Sequence, residues 1–263
     1  MVYPGSSDKL WRFKYRIGLL LLICSLLVYS YAGAQDLKII FPKYTPPYVF
    51  ENDTGILVDI VRTALAASDY KIKPIYVPIG RGLKMFSEKQ ADGTTIIQEN
   101  SGLNVYYSEN FMQYHNRAYA LKSRNFEIHS VADLKGKSII GFQNADKSLG
   151  EEFRQIATRN TKYKEMAQQE AQVQVLLLGR TDIAVMDESI FHYYRQKLVN
   201  EGKITKDEEY VSFEIFPPTP YKAAFNDPKI RDAFNKGIAA MRKDGRYEAI
   251  YRKYNAQYFA IKK

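Results

Sequence analysis

The side chains of this sequence that could bind or transform a small molecule stand mainly at the ends of predicted strands and helices. Asp187 directly follows a buried apolar run, and Thr94 and Thr95 lie inside another. Arg81 stands at the predicted start of a helix. A carboxylate, hydroxyl groups and a guanidinium are the groups that form strong hydrogen bonds with a charged or polar solute.

Aromatic and amide side chains occupy two predicted loops. The loop Tyr44-Thr-Pro-Pro-Tyr48 is stiff, because each proline fixes its own φ and keeps the preceding residue extended. Tyr44 and Tyr48 could therefore stack on a ligand. Gln143 and Asn144 follow a predicted strand and could offer amide groups, and Arg117 is a further candidate for binding.

Each candidate also has a purely structural explanation. The two tyrosines would serve equally well to pack their loop against its own domain. The threonines are ordinary strand formers, and Arg81 could support a turn at the surface. Asp187 stands at a strand end, where an aspartate commonly caps the following helix.

Motifs for catalysis, metal binding and cofactor binding are missing from the sequence. The three histidines, His115, His129 and His192, share no spacing typical of a metal site. No G-x-S-x-G motif and no phosphate-binding glycine loop occur. The sequence therefore predicts neither a metal nor a cofactor, and it gives no support for hydrolytic chemistry.

The first 34 residues have the three parts of a secretory signal peptide. Residues 1–16 are basic, residues 17–29 are almost entirely apolar, and Ala32-Gly33-Ala34 fits a signal peptidase site. The alternative is a membrane anchor, but a span needs roughly 20 apolar residues. We predict cleavage after Ala34 and export to the periplasm.

The remaining 229 residues carry a modest positive charge and no cysteine. Cleavage removes four basic residues, one aspartate and Cys24, so the formal charge falls from +9 to +6. Without a disulfide framework the exported chain must be stabilised by an ordinary core. Its basic residues are interleaved with acidic ones, which argues against a nucleic-acid-binding function.

Strand-like and helix-like segments alternate along the chain. The predicted strands are residues 37–41, 71–77, 93–97, 138–142 and 183–186. This alternation predicts an α/β fold with mainly parallel sheets flanked by helices. In such sheets ligands bind beyond the carboxyl ends of the strands, which is where most of the candidate residues stand.

Five segments in order resemble the periplasmic solute-binding proteins of the polar amino-acid type, family 3. The resemblance covers about residues 37–257 and rests on residues 44–60, 91–108, 131–143, 177–187 and 226–254. It implies a two-lobed, type II periplasmic-binding-protein fold with a hinge of two crossing strands. Lobe 1 would comprise residues 35–122 plus 216–263, and lobe 2 residues 123–215. Such lobes close on a ligand.

The resemblance also assigns roles and partners. Asp187 matches the family carboxylate that pairs with a ligand ammonium, and Thr94 and Thr95 match positions that offer hydrogen bonds. The implied partners are a small polar solute and the inner-membrane permease of an ABC importer. The protein would be a monomer without enzymatic activity.

The sequence departs from the family where the ligand carboxylate is bound. The family places an arginine after a Thr-x-Thr-x-x-Glu stretch, whereas Asn100 stands here. An amide cannot replace a bidentate guanidinium contact at equal strength. Arg81 and Arg117 are the candidate substitutes, and the expected ligand is amino-acid-like, zwitterionic or anionic.

Two further interpretations remain open at this level. One is an orphan binder or sensor that has no transporter. The other is an enzyme on the same fold, since periplasmic cyclohexadienyl dehydratases resemble these binding proteins and use a carboxylate as acid. Glu99, Glu188 or Asp187 would be the candidates for that acid.

Overall fold

The computed structural model describes residues 35–68, 70–205 and 208–258. The predicted signal peptide, residues 1–34, lies outside the described residues. Two mixed β-sheets form the centres of two lobes, and helices cover them. The predicted two-lobed α/β fold is confirmed.

Sheet 1, the centre of lobe 1, has the strand order β2-β1-β3-β11-β4, and β5 also pairs with β11. Its strands are β1 (Gln35–Pro42), β2 (Tyr70–Val77), β3 (Gly93–Ile97), β4 (Tyr106–Tyr107), β5 (Met112–Tyr114) and β11 (Thr219–Phe225). The pairs of β1 with β2 and with β3 are parallel, whereas β11 runs antiparallel to its neighbours.

Sheet 2, the centre of lobe 2, has the strand order β10-β6-β9-β7-β8. Its strands are β6 (Asn116–Leu121), β7 (Ile139–Phe142), β8 (Tyr163–Met166), β9 (Ile183–Asp187) and β10 (Tyr210–Phe213). Strand β7 pairs in parallel with β8 and β9, and β6 is antiparallel to β9 and β10.

The helices follow the strands as the sequence pattern predicts. They are α1 (Ile56–Ala66), α2 (Ile79–Ser87), α3 (Ala145–Ser148), α4 (Glu151–Arg159), α5 (Gln169–Leu177), α6 (Glu188–Asn200), α7 (Pro228–Asp244) and α8 (Arg246–Tyr258). Short 3-10 helices cover Glu99–Ser101, Lys122–Arg124 and Val131–Leu134. Among the described residues, no helix has the length and apolar character that a membrane crossing requires.

The chain passes between the sheets twice, and this fixes where the lobes meet. His115 alone separates β5 in sheet 1 from β6 in sheet 2, and residues 214–218 lead from β10 back to β11. The predicted lobe boundary after residue 122 lies just beyond the end of β6. Strand β6 pairs with β9 and β10, so residues 116–121 lie in the second sheet.

Helices α1 and α7 pack against each other because a glycine lies at their contact. A Cβ added to Gly237 would lie 2.0 Å from the carbonyl oxygen of Ala64. Helix α7 begins with Pro228 after Asp227, whose carboxylate accepts a hydrogen bond from Lys229, and it ends at the left-handed Gly245. The close packing holds α7, and with it the turn into α8, against lobe 1.

Candidate functional site

A cavity of about 540 Å³ lies where the two lobes meet, beside His115. It is lined by Tyr48, Asn110, Met112, Gln113, His115, Asp187, Glu188, Ser189, Pro220, Arg242, Tyr247, Tyr251 and Asn255. These residues come from the loop that carries Tyr48, from β5 and its flanking residues, from β11, from the β9–α6 junction and from the last two helices. Its volume lies in the range that suits a small-molecule ligand.

Asp187 is the most buried carboxyl group on this cavity, at 3 % exposure. It ends β9 and caps α6, since its Oδ1 accepts hydrogen bonds from the backbone N–H groups of Ser189 (3.0 Å) and Ile190 (3.2 Å). Its Oδ2 accepts from the N–H of His115 at 2.9 Å. The hydroxyl of Tyr48 donates to Oδ1 at 3.1 Å. The capping role and a position on the cavity therefore coexist in one residue.

Burial sets the acid strength of this carboxyl. Desolvation raises the pKa of Asp187 to about 6, and the hydrogen bonds from His115, Ile190, Tyr48 and Ser189 offset only part of that effect. Burial and the neighbouring Asp187 also raise the pKa of Tyr48 well above its ordinary value. The pair is therefore a neutral phenol that donates to a carboxyl of weaker acidity than a solvent-exposed aspartate.

The proline-containing loop positions Tyr48 in lobe 1. Gly55 fits against the carbonyl of Tyr48 with φ +133°, and an added Cβ would lie 2.2 Å from that oxygen. The same carbonyl accepts the N–H of Leu57 near the start of α1. The Tyr48 ring meets the ring of Tyr114 edge-on, with centroids 4.8 Å apart. Tyr48 is thus a fixed side chain of lobe 1 that contacts lobe 2.

Arg117 lies beside the cavity without lining it. Its Nε is 3.3 Å from Oε1 of Glu188, and its Nη1 is 3.5 Å from Oε2 of Glu214. Glu188 lines the cavity and keeps about a third of its side chain exposed. The guanidinium proposed as an anion-binding group is therefore already paired with two carboxylates.

Thr94 and Thr95 are buried in β3 and do not reach the cavity. The Thr95 hydroxyl donates to the carbonyl of Ile40 at 3.0 Å, and the Thr94 hydroxyl donates to the carbonyl of Thr95 at 3.4 Å. Both border a separate space of about 10 Å³ beside Ile79. A space of that size holds at most one water molecule.

The remaining predicted residues are exposed, and none of them lines the cavity. Tyr44 is 38 % exposed, and its hydroxyl lies 3.4 Å from that of Tyr193. Arg81 is exposed in α2, and Gln143 and Asn144 are exposed in the loop after β7. The N–H of Asn144 donates to Glu165 at 2.7 Å. Of the nine predicted residues, the cavity brings together Tyr48 and Asp187.

Sequence reasoning missed the contribution of the C-terminal helices. Tyr247, Tyr251 and Asn255 lie four residues apart and therefore share one face of α8, which lines the cavity. Arg242, near the end of α7, lines it as well. The four-residue spacing in the sequence indicates that these side chains share one helix face, but it does not indicate what that face contacts. Among the described residues, no group of three or more His, Cys, Asp or Glu side chains is placed to hold a metal ion.

Comparisons with known proteins extend over nearly the whole described chain. The model of the bacterial extracellular solute-binding proteins, family 3, matches residues 37–257. No curated protein sequence matches the chain.

Three solved structures illustrate the likeness in fold. An ancestral arginine-binding protein bound to arginine is 23 % identical, with a TM-score of 0.66 over 84 % of this chain and 99 % of that one. The GluR0 ligand-binding core from Nostoc punctiforme, in complex with L-glutamate, is 18 % identical, with a TM-score of 0.64 over 83 % and 98 %. An ancestral amino acid-binding protein, a precursor of cyclohexadienyl dehydratase, is 20 % identical, with a TM-score of 0.64 over 83 % and 95 %.

Proposed function

Because the chain belongs to the bacterial extracellular solute-binding proteins of family 3, we propose that it captures a small amino-acid-like solute in the cavity between its lobes. One observation carries this proposal. The buried carboxylate of Asp187, in lobe 2, lies on a cavity of about 540 Å³ and contacts Tyr48 of lobe 1. Ligand bound there would contact both lobes at once.

Asp187 is the group that we assign to a ligand ammonium. A buried carboxylate is stabilised by an opposite charge far more than by neutral donors, and a positive group relieves its desolvation. Three of its four donors are backbone N–H groups of His115, Ser189 and Ile190, which are fixed by the fold. The fourth donor, the Tyr48 hydroxyl, is the one that an ammonium would replace.

Replacement of the Tyr48 hydroxyl would couple binding to the relative position of the lobes. The Tyr48–Asp187 hydrogen bond joins them directly, and only one residue, His115, separates β5 from β6 on the nearer crossing segment. A solute inserted between the two side chains would substitute its own contacts for this bond. Such a change fits hinge motion of two rigid lobes.

The biological setting that we propose is capture in the periplasm for an ABC importer. The amino-terminal segment has the features of a cleavable signal peptide, and the family is extracellular. The alternative setting is a sensor without a transporter, which would bind the solute in the same cavity. Genes for a permease and an ATPase beside this one would favour import, and their absence would favour sensing.

The test is a binding screen with a matched pair of variants. L-amino acids and small organic acids are added to the purified protein, and binding is measured as an increase in melting temperature and by calorimetry. We expect at least one amino acid to bind and Asp187→Asn to lose that binding, because asparagine can still cap α6 but carries no charge. Asp133→Asn is the control, since the Asp133 carboxylate also accepts backbone N–H groups, those of His129 and Ser130, at the start of a 3-10 helix but does not line the cavity. Failure of every compound to bind would contradict the proposal.

The acid strength of Asp187 favours a second candidate function. A carboxyl with a pKa of about 6 can donate a proton near neutral pH, as a dehydratase acid must. Glu188 also lines the cavity, whereas Glu99 is exposed and paired with Lys222 at 2.7 Å. Turnover of prephenate or arogenate by the purified protein would support this candidate, and absence of product would remove it.

A further inference from the structure

None of the residues expected from the sequence is placed to bind the carboxylate of an amino-acid-like ligand in this cavity. Asn100 stands where the family has an arginine, and it is exposed in the 3-10 helix Glu99–Ser101, away from the cavity. Arg81 is exposed outside the cavity, and Arg117 is paired with Glu188 and Glu214. An assignment of that group rests on the proposed function, because it concerns the carboxylate of the same ligand whose ammonium is assigned to Asp187.

Among the described residues that line the cavity, Arg242 is the only lysine or arginine. It lies in the last turn of α7, close to the turn at Gly245 that leads into α8. No described carboxylate lies within ion-pair distance of its guanidinium, in contrast to Arg117. Arg242 is thus an exposed residue that lines the cavity, and no described carboxylate neutralises its charge.

The guanidinium of Arg242 is held in place by neutral groups. Its Nη2 donates to the backbone carbonyls of Asn110 at 3.1 Å and Phe111 at 3.4 Å. Its Cζ lies 5.1 Å from the ring centroid of Tyr247, within the range of a cation–π contact. The Tyr247 hydroxyl donates to the same Phe111 carbonyl. These contacts orient the group while its Nε and Nη1 have no described acceptor, so they can donate to a carboxylate.

The other charged and polar groups of the cavity suit an ammonium. Asp187 and Glu188 supply carboxylate oxygens. The side-chain oxygen of Asn255, on α8, is buried and has no hydrogen-bond partner among the described residues. A buried acceptor without a donor is costly, and an ammonium, which has three donors and no acceptor, would satisfy it.

We propose that Arg242 binds the carboxylate of the ligand, and that the ligand is a zwitterion whose ammonium is bound by Asp187 and Asn255. The carboxylate-binding arginine has thus moved from the position after β3 to the end of α7. Under this proposal the ligand carboxylate is bound through α7, and its ammonium is bound by Asp187 of lobe 2 together with Asn255 of α8. It assigns Arg242 as a residue that determines ligand specificity.

The test compares ligands that differ only in the carboxylate. Each L-amino acid is paired with its L-amino acid amide, in which the carboxylate is replaced by a neutral carboxamide, and affinities are measured by calorimetry. The wild-type protein is expected to bind its amino acid about 10- to 100-fold more tightly than the amide. In Arg242→Gln the affinity for the amino acid should fall to the level of the amide, with little change for the amide itself. Arg242→Lys should retain part of the preference.

Arg231→Gln is the matched control, because Arg231 is also on α7 and lies 6.0 Å over a tyrosine ring, that of Tyr106, but does not line the cavity. Melting temperatures of all variants establish that they fold. Amino acid binding that is lost in Asp187→Asn but unchanged in Arg242→Gln would overturn the role of Arg242 and leave the proposed function standing. Equal affinity of the wild type for acid and amide would overturn it as well. No binding of any pair would contradict both proposals.

Discussion

The hydroxyl of Tyr48 donates a hydrogen bond of 3.1 Å to the carboxylate of Asp187, across the junction of the two lobes and over 139 residues of sequence. Both side chains are buried, at 2 % and 3 % exposure. A loop that leads into α1 fixes one partner, and the β9–α6 junction fixes the other. The contact is therefore a direct hydrogen bond between the two lobes.

Removal of the Tyr48 hydroxyl should lower the stability of the protein but raise its affinity for the ligand. Tyr48→Phe keeps the ring against Tyr114 but removes one donor from a buried carboxylate, so the free energy of unfolding should fall by about 1–3 kcal/mol. Affinity for an ammonium-bearing solute should rise several-fold, because the solute no longer displaces that hydroxyl. Urea unfolding and calorimetry measure the two effects. A clear loss of affinity would mean that the hydroxyl itself contacts the ligand.

The raised pKa of Asp187 predicts a distinct pH dependence of stability. Its pKa is about 6 in the folded protein against 3.8 in the ordinary state. Between about pH 4 and pH 6, Asp187 is protonated in the folded protein but ionised in the unfolded chain. The free energy of unfolding therefore falls as the pH rises through this window, and above it this contribution is constant. The total is on the order of 3 kcal/mol. Urea unfolding of the wild type at pH 4.5 and pH 7.5 should show this loss, and Asp187→Asn should lack it.

Ligand binding should have the opposite pH dependence. An ammonium is attracted by the ionised form of Asp187, so its affinity should be constant above about pH 6 and should fall about tenfold per pH unit below it. Calorimetry between pH 4.5 and pH 8 measures this profile. An affinity that does not change over this range would argue that the charge of Asp187 does not contribute to binding.

Substitution by alanine should have opposite effects on stability at two helical glycines, one at the contact between α1 and α7 and one at an open surface. Gly237→Ala should destabilise the protein by about 1–3 kcal/mol, because the new Cβ would lie 2.0 Å from the Ala64 carbonyl and the helices must move apart. Gly80→Ala, in the first turn of α2, meets no atom within 4 Å and should be neutral or stabilising by up to about 1 kcal/mol. Urea unfolding of both variants tests the pair. Similar values for the two would show that the helices accommodate the added methyl group.

Local sequence patterns are sufficient to specify the helices, the strands and the family of this protein. Apolar residues at helical spacing specify α1 and α7 because a helix can bury only one face, and short apolar runs specify β3 and β9. Five ordered segments indicated family 3, whose model matches residues 37–257. The sequence also predicts that Asp187 stands at a strand end. In the structure it both caps the following helix and lines the cavity.

Which of these side chains share one cavity depends on how distant segments of the chain pack together. The carboxyl ends of parallel strands meet at one edge of a sheet, but the side chains of Thr94 and Thr95 point into the packed interior of lobe 1, and Arg81 points into solvent. The four-residue spacing of Tyr247, Tyr251 and Asn255 shows that they share a face of α8, but not which surface that face meets. That surface depends on long-range packing: the single-residue crossing at His115, the close contact of α7 with α1, and the turn that brings Arg242 and α8 to Asp187. Local sequence patterns carry no information about contacts between such distant segments, because each contact forms only when segments far apart in the chain are packed together.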